Sequence, residues 1–429
     1  MRADAGASLS GMTIATTRAA CLALDAADPL AARRARFRLP EGLNYLDGNS
    51  LGVLPAATPA RLSQVIAGEW GEGLIRSWNA AGWIEAPRRI GDQIGRLIGA
   101  TPGQTLAADS TSINLHKLLA MALSLRPGRR VIVSEADNFP TDLYIAQGLI
   151  AQLDGQHELR LLPAGASAAD YEAALGPEVA VLMLSHVNYR SGAMHDLRRL
   201  TAAAQAAGAL TLWDLAHSAG AVPLALDEDG ADLAVGCGYK YLNGGPGAPA
   251  FLYIAKRWQG QARSPLTGWF GHAQPFAFEP DYVPAPDIAQ ALCGTPPILS
   301  LSALEVGIEQ FEGVDLVELR AKSVALCELF IALVESRLAG QGFVLASPRE
   351  AARRGSQVCL RHPAAWPICQ ALIARGVIGD FRAPDILRFG FAPLYVRYLD
   401  VWEAVSELEQ VMRSGEWRQP GFQIKSKVT

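Results

Sequence analysis

From about Leu62 onward, short apolar runs alternate with longer Ala-rich amphipathic stretches. The runs at 131–133, 179–184, 210–213, 233–235 and 250–254 are almost wholly apolar and read as strands buried on both faces. Between them the spacing predicts helices over 113–125, 144–153 and 200–207. Buried strands alternating with helices imply an α/β unit with a mainly parallel sheet, covering residues 60–300. After Pro297 the pattern changes. Residues 300–338 show heptad-like apolar spacing, expected as one or two long helices. Short β-like pieces follow at 343–346, 358–361 and 386–390, then a last helix over 401–412. This predicts a smaller α+β domain built from 301–429, with the N-terminal segment 1–59 packed onto it. No repeat or low-complexity tract interrupts the chain.

Composition narrows the class. The 429 residues carry 38 Lys+Arg against 42 Asp+Glu, a net charge of -4, and half are hydrophobic. A chain of that length buries a large core and is not disordered. The balance gives no basic excess for nucleic acid. Cys21, Cys237, Cys293, Cys327, Cys359 and Cys369 form no C-x-x-C pair and no zinc spacing, which points to a reducing compartment, the cytoplasm, and to no metal. The long uncharged run 288–304 is broken by Gly294, Pro296 and Pro297, so no membrane span is expected. The N-terminus mixes arginines with Asp4, Asp25 and Asp28 and lacks an apolar signal region. Met12 stands as an alternative start to Met1. Only six cationic residues are lysines: Lys117, Lys240, Lys256, Lys322, Lys425 and Lys427.

Three segments carry candidate chemistry. In Ala108-Asp109-Ser110-Thr111-Ser112-Ile113-Asn114 a hydroxyl cluster opens a helix, which suits either an anion cup or an ordinary N-cap. No Walker loop and no G-x-G-x-x-G follows a strand. In Leu212-Trp213-Asp214-Leu215-Ala216-His217 a strand delivers Asp214 at its carboxyl end, where open α/β sheets bind ligands, with His217 three residues on. A helix-capping aspartate explains that segment equally well. In Gly236-Cys237-Gly238-Tyr239-Lys240-Tyr241-Leu242-Asn243-Gly244-Gly245, Lys240 lies between a buried strand and a glycine-rich turn that permits close approach of backbone or ligand. A lysine enclosed there is placed as an amine nucleophile; the alternative is a lysine reaching out to solvent. Taken together, a phosphate cup, a carboxylate and a lysine on one α/β sheet match what pyridoxal 5'-phosphate requires.

These motifs make the chain resemble the kynureninase family, pyridoxal-phosphate enzymes of aspartate-aminotransferase-like fold type I. The resemblance runs from about Leu24 to Tyr398. It rests on Tyr45-Leu46-Asp47-Gly48-Asn49-Ser50-Leu51-Gly52, Phe139-Pro140-Thr141-Asp142, and Ser185-His186-Val187-Asn188-Tyr189-Arg190-Ser191-Gly192. It continues through Asp214-Leu215-Ala216-His217, Gly238-Tyr239-Lys240-Tyr241-Leu242-Asn243, Gly268-Trp269-Phe270-Gly271, Gly294-Thr295-Pro296-Pro297 and Leu387-Arg388-Phe389-Gly390. The resemblance implies hydrolytic Cβ–Cγ cleavage of L-kynurenine to anthranilate and L-alanine, in tryptophan degradation or NAD biosynthesis. It implies Lys240 as the Schiff-base lysine and proton carrier, Asp214 as partner of the pyridine nitrogen, and Tyr239 as proton donor or oxyanion partner. Phe139 would stack on the ring, with Asp142, Ser185 and His217 lining it. Thr111, Ser112 and Tyr239 would hold the phosphate. Trp269 and Thr295 would reach the site from the partner subunit of a homodimer. Arg388 would clamp the substrate carboxylate, and Ser50 would sit near the aryl end.

Where animal members carry Asn, this chain has Thr295, and 70–78 reads Trp-Gly-Glu-Gly-Leu-Ile-Arg-Ser-Trp without their histidine. That departure predicts a preference for kynurenine over 3-hydroxykynurenine. A cysteine desulfurase or class V aminotransferase is the nearest alternative, but Cys327, Cys359 and Cys369 are poorly placed for a mobile thiol. A cofactor-binding regulator is a second alternative; it would need neither the lysine nor the carboxylate-binding arginine. His116, His157, His195 and His362 read as ordinary surface or core residues, and Trp402 and Trp417 as packing.

Overall fold

The computed structural model describes residues 16–425. Met1, Met12 and Lys427 lie outside them. Thirteen strands form three sheets. The central one holds β2 (Thr105–Ala107), β3 (Val131–Glu135), β4 (Glu158–Leu162), β5 (Val179–Ser185), β6 (Leu210–Asp214), β7 (Leu233–Gly236) and β8 (Phe251–Ile254). Their spatial order is β2-β8-β7-β6-β5-β3-β4. Only β8 runs against the others, pairing antiparallel with both β7 and β2. The chain is mixed α/β with a mainly parallel sheet, as its apolar runs predicted. The middle strands are buried along their full length, which is why they lack polar alternation.

Two strands of this sheet escaped the sequence pattern. β4 is an edge strand with Glu158 exposed and Arg160 half-buried, so its polarity masks it. β2 has only three residues. Helices cover the faces at Ala86–Ile98, Thr111–Ser124, Pro140–Gln152 and Leu197–Ala206. The helix expected over 144–153 begins at Pro140, because proline fits the first helical turn, where its missing N–H costs nothing. That earlier start places Asp142 in the first turn.

The C-terminal part holds the long helices Ile298–Glu309 and Leu316–Arg337, separated by a turn at Gly313. It also holds an antiparallel sheet of β9 (Val344–Leu345), β10 (Gln357–Arg361), β12 (Asp380–Arg382) and β13 (Ile386–Gly390), ordered β12-β13-β10-β9. The N-terminal β1 (Asn44–Tyr45) pairs in parallel with β11 (Val377–Ile378). The helix Arg18–Ala27 contacts the helix Tyr398–Ser414, and Asp28 forms an ion pair with buried Lys322 at 2.7 Å. Trp402 and Trp417 are half-buried under Arg337 and Arg418, which stack on their rings. All six cysteines are unpaired, and five are buried. No helix among the described residues is long and apolar enough to cross a membrane.

Candidate active site

Strands β3, β5, β6 and β7 run parallel, so their carboxyl ends share one sheet edge. Ser185 ends β5 and Asp214 ends β6, directly opposite each other in register. Phe139 follows β3, and Lys240 follows β7. The alternating connections thus bring residues distant in sequence to one place. A small cavity is lined by Phe139, Ser185, Val187, Tyr189, Asp214, Ala216, His217 and Lys240.

Lys240 Nζ lies 2.9 Å from His217 Nε2 and faces the Phe139 and Tyr239 rings at 5.9 and 5.7 Å from their centroids. Asp214 is buried, and its Oδ1 accepts the Ala216 N–H at 2.8 Å. Burial pushes its carboxyl up from the usual range, while Lys240 pulls it down. Asp142 is pushed well up by burial and then by Asp214, and Lys240 opposes this. The buried Asp142 Oδ2 has no hydrogen-bond partner within the protein. Ser185 Oγ donates to Asn138 Oδ1 at 2.7 Å, and the same oxygen accepts the Phe139 N–H. Phe139 meets Tyr189 edge-on at 5.3 Å.

Beside this cavity a cleft is lined by Asp109, Ser110, Thr111, Tyr239, Gly247 and Ala250, among others. Ser110 caps the helix Thr111–Ser124, its Oγ accepting the Ile113 N–H at 3.4 Å. Thr111 and Ser112 open that helix, so their backbone N–H groups need outside partners. Beneath the cup, fully buried Lys117 donates to Asp109 Oδ2 at 2.6 Å and to the Ala291 carbonyl at 2.7 Å. The glycines around Lys240 divide in role. A Cβ on Gly238 would lie 2.3 Å from the Pro249 carbonyl, so that glycine admits backbone rather than ligand. Gly247 has positive φ and borders the cleft.

The small sheet closes the site from the other side. Arg388, in the middle of β13, is fully buried. Its Nε donates to Asp380 Oδ1 at 2.8 Å and its Nη2 to Asp380 Oδ2. Nη2 also donates to Ser50 Oγ at 2.6 Å, and Nη1 to the Tyr189 carbonyl at 2.7 Å. The guanidinium is therefore held along its Nε–Nη2 edge by Asp380 and steadied at its other nitrogens by Ser50 and the Tyr189 carbonyl. Ser50 also donates to Asp380 Oδ2 at 3.0 Å; its hydroxyl belongs to the arginine cluster. Asp47 lies 3.9 Å from Arg388, and burial, reinforced by Asp380, pushes its carboxyl up to about 7.

Trp269 and Thr295 do not join these residues. Trp269 stacks on Phe270 and Phe276, Thr295 is exposed, and neither lines the Lys240 cavity. The sequence reading missed Asn138, Tyr189, Gln357 and Asp380. Asn188-Tyr189 lay inside a quoted motif; Gln357 stands one residue before the β-like piece expected at 358–361, and Asp380 opens a three-residue strand with no local signal. No group of three or more His, Cys, Asp or Glu among the described residues could hold a metal.

The residues fit pyridoxal phosphate. A lysine and a buried carboxylate share one small cavity beside a hydroxyl-capped helix start, and Asp142 Oδ2 awaits a polar partner.

Residues 319–408 match the family model described as "Kynureninase C-terminal domain". The kynureninase of Burkholderia pseudomallei (strain 1106a) is 56% identical over 417 residues, 96% of this chain and 100% of the relative. The kynureninase of Pseudomonas fluorescens is 52% identical over 418 residues, with the same coverage. Among solved structures, a cysteine desulfurase from Thermococcus onnurineus NA1 superposes with a TM-score of 0.75 at 19% identity, covering 89% of this chain and 98% of its own. A C-DES mutant with glycine covalently linked to its PLP cofactor gives 0.76 at 16% identity, covering 88% and 98%. At those identities the likeness shows the shared fold type.

Proposed function

The chain belongs to the kynureninase family, and from that premise we propose that the cavity around Lys240 hydrolyses L-kynurenine to anthranilate and L-alanine. It is a pyridoxal-phosphate-dependent hydrolase of carbon–carbon bonds. The observation that carries the site assignment is the convergence of Lys240, Asp214, Phe139, Ser185 and His217 on one cavity at the sheet's carboxyl edge.

Bound there, pyridoxal phosphate supplies an electron sink for the bonds at the substrate's Cα and Cβ. Lys240 is the amine that would hold the cofactor and would carry protons at the substrate's Cα. Asp214 keeps a proton on the pyridine nitrogen, with Asp142 beside it. Phe139 stacks on the ring, and Ser185 and His217 line it. Thr111, Ser112 and Tyr239 hold the phosphate at the helix start. Arg388 receives the α-carboxylate, with the Ser50 hydroxyl beside it. The Tyr239 hydroxyl is placed to stabilise charge when water adds to the γ-carbonyl, or to protonate the departing carbon. Burial raises its phenol above the ordinary range, so it remains a donor at neutral pH.

We assign residues 60–300 to the cofactor domain and, among the described residues, 16–59 with 301–425 to the small domain. A second copy of the chain completes the site in a homodimer: Trp269 and Thr295 lie away from the cavity of their own chain. Exposed Ile66, Trp70, Leu74, Ile75, Phe276 and Phe278 supply apolar surface for such a partner. Six unpaired cysteines suit the cytoplasm. The enzyme serves tryptophan degradation or NAD biosynthesis. A desulfurase reading is weaker because Cys327, Cys359 and Cys369 are all buried and their thiols are raised by burial.

The test adds L-kynurenine to purified protein with pyridoxal phosphate and follows anthranilate fluorescence, with Lys240→Ala beside it. Absence of anthranilate from the wild type overturns the reading. The ratio of kcat/KM for kynurenine and 3-hydroxykynurenine checks the preference expected from Thr295; equal or reversed values refute it.

A further inference from the structure

His217 has two ring nitrogens and two committed neighbours. Nδ1 lies 3.0 Å from Gln357 Oε1, and Nε2 lies 2.9 Å from Lys240 Nζ. Gln357 is buried on β10, and the orientation of its amide follows from what its Nε2 meets. Its Nε2 faces the backbone carbonyls of Asn188 and Tyr189 at 3.3 and 3.2 Å, and carbonyls only accept. Turning the amide would set its oxygen against both. Gln357 Oε1 therefore faces His217, and it too only accepts.

The hydrogen of that contact must come from Nδ1. Burial first, and then the charges of Lys240 and Arg388, hold His217 well below the usual imidazole range, so the ring carries a single N–H. With that hydrogen on Nδ1, Nε2 is left with a lone pair directed at Lys240.

We propose that Gln357 is a positioning residue that sets the tautomer of His217 and so makes His217 Nε2 a hydrogen-bond acceptor for the ε-amino group of Lys240. One Lys240 hydrogen is then spent on His217, which orients the amine within the cavity. The opposite tautomer would point an N–H at the amine and compete for the lone pair that Lys240 needs as nucleophile and base. The role rests on reading Lys240 as the cofactor's lysine. The contact itself spans 140 positions and joins the small sheet to the large one.

The experiment labels histidine with ¹⁵N in cofactor-free protein and reads tautomers from long-range ¹H–¹⁵N spectra. The His217 signals are those lost in His217→Gln. In the wild type at neutral pH, Nδ1 is expected to carry the hydrogen and Nε2 to be bare. Gln357→Leu removes the acceptor and is expected to give a mixture or the Nε2–H form. Gln357→Glu keeps an acceptor and is expected to keep Nδ1–H, which decides the matter even where the leucine variant does not fold. An Nε2–H ring in the wild type, an unmixed Nδ1–H ring in Gln357→Leu, or a switched ring in Gln357→Glu each overturns the proposal. None of these readings involves cofactor or turnover, so failure of the kynurenine assignment is seen separately.

Discussion

Asp109→Asn tests the buried ion pair beneath the phosphate cup. Lys117 is fully buried, whereas the Asp109 side chain is about one-third exposed. Asp109 has φ of 50°, a left-handed conformation that asparagine tolerates, so the variant removes charge without backbone strain. Lys117 then keeps the amide oxygen and the Ala291 carbonyl as acceptors and loses its anion. Stranding one partner of a buried pair costs about 3–5 kcal/mol. The lysine can escape by releasing its proton, which caps the cost. Moving a group that titrates near 10.4 to its neutral form at pH 8 takes ~3 kcal/mol. Water reaching Asp109 lowers the figure further, so ~2–3 kcal/mol is expected at pH 7.5.

The sign with pH follows from the lysine. Its folded-state value is already lowered, by burial first, with Asp109 opposing. The variant lowers it more. The penalty is therefore full below the variant's folded value and fades as pH rises to the wild type's folded value, itself below the unfolded ~10.4. Urea unfolding of the cofactor-free wild type and variant at pH 7.5 and 9.5 reads this directly. With a slope of roughly 3 kcal/mol/M or more for a chain of this length, the midpoint falls by up to ~1 M at pH 7.5 and by less at pH 9.5. Equal midpoints at pH 7.5, or a gap that widens at pH 9.5, would refute the reasoning.

Arg388→Lys keeps the charge but loses the fork, so KM for kynurenine should rise by about 10–100-fold with a smaller change in kcat; an unchanged KM would exclude Arg388 as the carboxylate clamp. Asp214→Asn should lower kcat by about 10²–10³ while pyridoxal phosphate still binds, as seen by absorbance titration; wild-type turnover would remove Asp214 from the pyridine nitrogen. If Trp269 acts across a dimer, inactive Lys240→Ala and Trp269→Ala proteins should regain about one quarter of wild-type activity when re-associated as an equal mixture. No recovery would place Trp269 in its own subunit's site.

Much of the site was legible because its parts are local. The hydroxyl cluster before Ile113, the aspartate ending an apolar strand and the lysine after a buried strand each occupy a few consecutive residues. The scarcity of lysine was a coarser signal than it first looked. Lys117 and Lys322 are buried, each paired with an aspartate, at 2.6 and 2.7 Å, while Lys256 and Lys425 are exposed. Rarity alone therefore did not single out Lys240. Lys240 differs in meeting a histidine at a strand end rather than a carboxylate.

The residues that went unseen have no local signature. Gln357 meets His217 across 140 positions. Asp380 is separated from Arg388 by only eight positions, but they face each other because β12 and β13 pair antiparallel in that register. β4 was lost because an edge strand keeps polar side chains in water and so breaks the apolar pattern.

The sequence by itself determined the α/β alternation, the parallel sheet and the three chemical segments. Period, capping and strand-end position are properties of neighbouring residues. Only the tertiary structure decided that Asp380, Ser50 and the Tyr189 carbonyl hold Arg388, and which nitrogen of His217 meets Lys240. Those are questions of hydrogen-bond direction between elements, and direction exists only once the two sheets have been brought face to face.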